Sequence, residues 1–127
     1  MHRVASYESF QDGQIIFNEG DQGDRVYLID SGSVEVSKMI SGSKVIVEML
    51  QAKEIFGEMA FISNIPRTAT AMAIGKTTLG ILDRTYLMEE LNRLSDDTQA
   101  IIRSMVCRLK KATDVLTQTG IKPSCSQ

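Results

Sequence analysis

A chain of 127 residues with a formal net charge of −2 has room for one core and not for two ordinary domains. Its composition is that of a globular protein, with no basic stripe suited to nucleic acid, no apolar run long enough to span a membrane, and no secretory leader in the opening MHRVASYESF. His2 is the only histidine and Cys107 and Cys125 the only cysteines, which argues against a metal site, a catalytic triad or a disulfide framework and suits a reducing cytoplasm.

From about residue 4 to 82 the pattern reads as β, in short alternating runs punctuated by glycine turns. Tyr7–Phe10 and Gln14–Phe17 are joined near Asp12-Gly13. The acidic loop from Asn18 to Asp24 lacks the full calcium-loop pattern and reads as a solvated turn. Val26–Ile29 is a buried-type strand ending at Asp30-Ser31-Gly32, after which Val34 and Val36 share one face. Ser41-Gly42-Ser43 turns the chain into Lys44–Leu50, where Val45, Val47 and Met49 point one way and Ile46, Glu48 and Leu50 the other. Thr68–Ile74 and Thr78–Leu82 complete about eight strands, a number that suits two packed sheets in a jelly roll.

Between these strands lies FGEMAFISNIPRTATAMA, Phe56 to Ala73. Gly57 allows a tight turn, Glu58 follows it, Met59–Ile62 can form about one helical turn, and Pro66 stops that helix just before Arg67 and Thr68. A helix start has unpaired N–H groups that favour an anion, and an arginine beside it can clamp a phosphate with its planar fork of donors. A carboxylate in the same place can accept from sugar hydroxyls. Phosphate plus ribose is the ligand class this stretch predicts.

After Leu82 the period changes. Asp83 or Thr85 caps a short helix from Tyr86 to about Arg93, and Ser95 caps a longer one from Asp96 to about Gln118. Ile102, Met105, Leu109, Ala112 and Leu116 form a narrow seam of coiled-coil type, widened by Ile101 and Val115. Arg103, Arg108, Lys110 and Lys111 make the outer and C-terminal parts of this helix cationic. Gly120 ends the helix, and residues 119–127 form a tail.

In this order, the chain resembles the cyclic nucleotide-binding domain family over roughly Phe10 to Leu116. Three stretches carry the resemblance: Gly13–Asp21, Tyr27–Val36 around its central glycine, and Phe56-Gly57-Glu58-Met59-Ala60 with Pro66-Arg67-Thr68-Ala69-Thr70 behind it. The resemblance implies one mainly β domain over residues 1–127, a jelly roll enclosing a short phosphate-binding helix and followed by a short and a long α-helix. It implies that Arg67 pairs with the cyclic phosphate, that the backbone of Gly57, Met59 and Ala60 completes the cradle, that Glu58 accepts the ribose 2′-OH, and that Thr68 adds a phosphate or base contact. Val36 and Val47 would wall the purine, and the long helix near Arg108, Ala112 and Thr113 would close over it. The chain departs from the family in the Gln51–Glu54 loop, which lacks the usual proline-glycine pair.

The expected function is therefore a non-enzymatic sensor of a cyclic purine nucleotide, cAMP before cGMP, with no cofactor or metal. Its output would pass through the long helix to a second copy, over residues 96–118, or to a further domain. The alternative is an interaction module that dimerises through the same helix and binds no nucleotide.

Overall fold

A computed structural model describes residues 4–117 of the chain, and its side chains as far as residue 112. In chain order the elements are β1 (Val4–Phe10), β2 (Ile15–Phe17), β3 (Tyr27–Ile40), β4 (Ser43–Leu50), β5 (Ile55–Phe56), α1 (Glu58–Ser63), β6 (Thr70–Leu82), α2 (Arg84–Arg93) and α3 (Asp96–Thr117). The β and α regions thus fall where the hydrophobic period changes.

The predicted runs are present, but they join into fewer strands than the sequence suggests. Val26–Ile29 and the run after Gly32 merge into β3, and the two runs flanking Gly75 merge into β6. These two long strands pair antiparallel along most of their length, with register shifts between Ile29 and Ser33. Gly32 sits at the shift with φ +92°, and a Cβ there would lie 2.7 Å from Lys76 O. Only glycine fits, so pairing continues through a bend that a substituted residue would break. The buried Thr77 hydroxyl lies 3.1 Å from both Ser33 O and Gly75 O, which keeps the bend from burying unpaired carbonyls.

Each half of the β3–β6 pair carries its own neighbours. β1 pairs β6 over residues 77–82 and β5 pairs β3 at Tyr27 and Leu28. On the other half, β2 pairs β6 at Ala71 and Met72, and β4 pairs β3 from Val34 onward. The result is a mainly antiparallel jelly-roll-like fold followed by helices. Its core is Phe10, Tyr27, Ile29, Val34, Leu50, Phe56, Ala71, Ala73, Leu79 and Ile81. At one end Tyr27 and Phe56 stack at 5.1 Å, with Phe17 tilted about 6 Å from each.

Asp83, not Thr85, caps α2 by accepting from Tyr86 N–H at 3.1 Å. Ser95 Oγ accepts from Thr98 N–H at 3.1 Å at the start of α3. α3 packs on α1 and β3, and Val106 is its buried anchor. Ile102 is only half-buried, while Ile101, Met105 and Leu109 are exposed. The seam read from the sequence is therefore split. Ile102, four residues before Val106, lies on the inward side, and the outward stripe runs through 101, 105 and 109. Val115, Leu116 and Gly120 lie outside the described side chains. Cys107, one of two cysteines taken to argue against a disulfide framework, is half-buried and disulfide-bonded. No helix among the described residues is long and apolar enough to cross a membrane.

Candidate functional site: a charged cavity between α1 and β4

The stretch Phe56–Ala73 folds as a turn, a short helix and a return to β6. Gly57 takes φ +86° at the start of α1, and a Cβ there would stand 2.7 Å from Arg25 O and 2.9 Å from Arg67 Nη1. Any other residue would be strained and would also displace the arginine. α1 ends at Asn64 with φ +51°, two residues before Pro66. The helix is thus already turning out of its axis when the proline arrives.

Arg67 is 5% exposed, unusual for a cation, and its surroundings explain how it is held. Nη1 donates to Gly57 O and Nη2 to Arg25 O, each at 3.0 Å. The guanidinium carbon lies 4.2 Å from the centroid of the Phe17 ring. The backbone is fixed as well: Arg67 N–H donates to Asp21 O and Gly20 N–H donates to Arg67 O, each at 2.8 Å. Burial pushes the guanidinium below its ordinary pKa, while Tyr27, Asp24, Asp21 and Glu58 act the other way. The group stays charged, with its fork held by the Gly57 and Arg25 carbonyls.

A cavity of about 360 Å³ opens beside this arginine, within the usual size range of small-molecule sites. Of the residues expected at the site, Phe56, Gly57, Glu58, Met59, Ala60, Arg67, Thr68 and Val36 all line it. Glu58 is exposed at the first position of α1. The Thr68 hydroxyl faces Met59 Sδ at 3.9 Å, a weak partner that leaves it available. Three expected residues, Val47, Arg108 and Ala112, are placed elsewhere. Val47 is the extra residue of a bulge in β4: Val36 pairs Glu48 and Ser37 pairs Ile46, so Val47 has no opposite number. It is exposed, and Glu48 and Leu50 line the cavity instead. Arg108 is exposed on α3 and does not line the cavity, because Val106 sets which side of that helix faces inward. Thr113 lies outside the described side chains, and Ala112 is exposed.

Several residues that shape the site carry no local signal. Phe17 reads as a strand end. The loop from Asn18 to Asp24, read as a solvated turn, braces the Arg67 backbone. Lys38 is buried, donates from Nζ to Thr68 O and lies 3.6 Å from Glu19 Oε2. It fixes the carbonyl of the residue that follows the arginine. Its burial could have been guessed only from its place on β3, not from its type. Among the described residues no group of three or more His, Cys, Asp or Glu side chains is placed to hold a metal ion.

A cavity with a buried arginine, an adjacent helix start and a carboxylate at its mouth suits a small ligand bearing both an anion and hydroxyl groups. Comparison with known proteins agrees with that chemistry. The model of the cyclic nucleotide-binding domain matches residues 7–94. A cAMP-dependent protein kinase regulatory subunit of Mucor circinelloides f. lusitanicus is 37% identical over 111 residues, covering 80% of this chain and 26% of its own length. An EAL enzyme solved in a cAMP-bound form superposes with a TM-score of 0.82 at 29% identity, over 89% of this chain and 30% of that one. The same enzyme is also solved in a cGMP-bound form. The catabolite activator protein of Thermus thermophilus gives a TM-score of 0.67 at 28% identity, over 91% of this chain and 55% of that one. This chain thus spans about a quarter to a half of the length of these proteins. With most of its length matched by the family model and the arginine and carboxylate of the motif on one cavity, the chain belongs to the cyclic nucleotide-binding domain family.

Proposed function

We propose that this chain is a regulatory module that binds a cyclic purine mononucleotide, cAMP in preference to cGMP, and does no chemistry on it. The observation that carries the reading is Arg67, buried yet charged, beside the cavity that Glu58 also lines. A cyclic nucleotide brings one negative charge, and burying it without a partner would be costly. Arg67 and the unpaired N–H groups at the start of α1 offset that cost. Glu58 accepts the ribose 2′-OH, Thr68 adds a hydroxyl contact, and the purine lies along Val36. The relatives solved with cAMP and cGMP bound support the ligand class.

The roll and the helices act as one domain, and α3 carries the output. Ile101 and Met105 are exposed on its outer side, a stripe suited to a second copy of the chain or to a following domain. Ligand can move α3 only by binding one helix position more tightly than another, and Arg108 reaches the purine only in a position other than the one seen here. A cytoplasmic setting belongs to the same reading, and fractionation of cells expressing the tagged chain would test it.

The test is a melting curve with each nucleotide. At a concentration about 100 times Kd, binding should stabilise the fold by about 2.7 kcal/mol, a rise of several degrees. If neither cAMP nor cGMP shifts the transition, the chain is an interaction module on this fold and not a sensor.

A further inference from the structure

Four charged side chains line the cavity, and three of them are accounted for. Arg67 and Glu58 take the phosphate and the ribose. Glu54 is engaged by its own turn, its Oε2 accepting from Gln51 N–H at 2.7 Å. Glu48 is the fourth, and among the described residues no hydrogen bond or ion pair joins it to the protein. It stands on β4 opposite Val36 and two residues before the buried Leu50, so it shares the inward face of that strand.

This inference rests on the cyclic nucleotide reading above. In such a ligand the ribose separates the phosphate from the base. With the phosphate at Arg67 and the sugar at Glu58, the base is directed to the remaining wall, where Val36, Glu48 and Leu50 stand. An ionised carboxylate is an acceptor only. Adenine carries an amino donor on its six-membered ring where guanine carries an oxygen acceptor. We propose that Glu48 is the residue that selects the purine, accepting a hydrogen bond from the 6-amino group of adenine and repelling the 6-oxo group of guanine. A hydrophobic wall alone could not make that distinction, because adenine and guanine bury similar apolar faces.

Calorimetry on the whole chain with cAMP, cGMP and cIMP, which has the 6-oxo group but no 2-amino group, tests this directly. The wild type should bind cAMP more tightly than either 6-oxo ligand. In Glu48→Gln the side-chain amide can donate to a 6-oxo group, so both preference ratios should fall about tenfold, as expected for one charge-assisted hydrogen bond. Glu48→Lys, which only donates, should favour the 6-oxo ligands. Glu48 is exposed on an edge strand, so the melting curves of both variants should match the wild type before nucleotide is added. If cAMP still binds both variants and the ratios stay within about twofold of wild type, the proposal is overturned. It is also overturned if the wild type prefers cGMP over cIMP and Glu48→Gln abolishes that preference, because the carboxylate would then read the 2-amino edge. A wild-type chain that binds none of the three overturns the reading of the site itself, and this inference with it.

Discussion

At the α1 end of the cavity, the arginine is tied to its surroundings by side chain and backbone alike. Arg67 is bonded to two carbonyls from different segments, stacked on Phe17, and braced through its backbone by the Asn18–Asp24 loop. At the β4 end, the wall is an exposed edge strand with a bulge at Val47 and an unpartnered carboxylate at Glu48. One end is built before any ligand arrives. The other can change residue by residue without disturbing the core. That difference suits a site in which the phosphate and sugar are constant and the base is the variable to be read.

The largest expected effect tests the closed end. Arg67→Ala removes the cation and leaves Gly57 O and Arg25 O without their donor. Affinity for a cyclic nucleotide should fall about 100-fold by calorimetry, the equivalent of about 2.7 kcal/mol. Melting should also drop, since a buried acceptor left unpaired costs about 1–3 kcal/mol. Arg67→Lys should recover little of either, because an ammonium cannot reproduce the fork that spans both carbonyls. A loss in affinity below about threefold for Arg67→Ala would place the phosphate elsewhere.

Glu58→Ala comes next. Glu58 is exposed and makes no described contact that holds the fold, so stability should change by less than about 0.5 kcal/mol. Its effect should appear in the preference for cAMP over 2′-deoxy-cAMP, which should shrink about tenfold. An unchanged preference would mean that another group accepts the ribose hydroxyl.

The same contrast explains what the sequence made legible. The α1 end is encoded within a short stretch: a glycine that must take positive φ, a carboxylate after it, a proline stop and an arginine. Each is a local requirement, so reading residues in order finds them. The partners of Arg67 are not local. Gly57 O and Arg25 O are backbone atoms that any residue type would provide, and Phe17 and Lys38 reach the site only once β2, β3 and β6 pair. The fold shows the same limit. The β runs and helices follow from hydrophobic period, but whether two runs form one strand depends on Gly32 and Gly75 carrying the pairing through a bend. The face that α3 turns inward depends on packing against α1 and β3, which is why Val106 was missed and Arg108 was expected at the cavity.

The smallest effect tests the open end, where the sequence pattern misplaced a wall residue. Alternation along β4 puts Val47 and Glu48 on different faces, and the family resemblance assigned Val47 to the purine wall. The inward face is the one that carries Leu50, and the bulge at Val47 keeps that valine out of the ladder. Val36 lines the cavity and is half-buried; Val47 does not line it. Truncating Val36 to alanine removes two methyl groups from the proposed base wall, at about 0.8 kcal/mol for each fully buried carbon and less at a half-buried site. Val36→Ala should therefore weaken cAMP binding about threefold. Val47→Ala should leave affinity within error, although both are valines on the paired strands β3 and β4. Equal losses in the two variants would mean that the β4 register shifts when the ligand binds, and that the open end of the cavity is remade around the base.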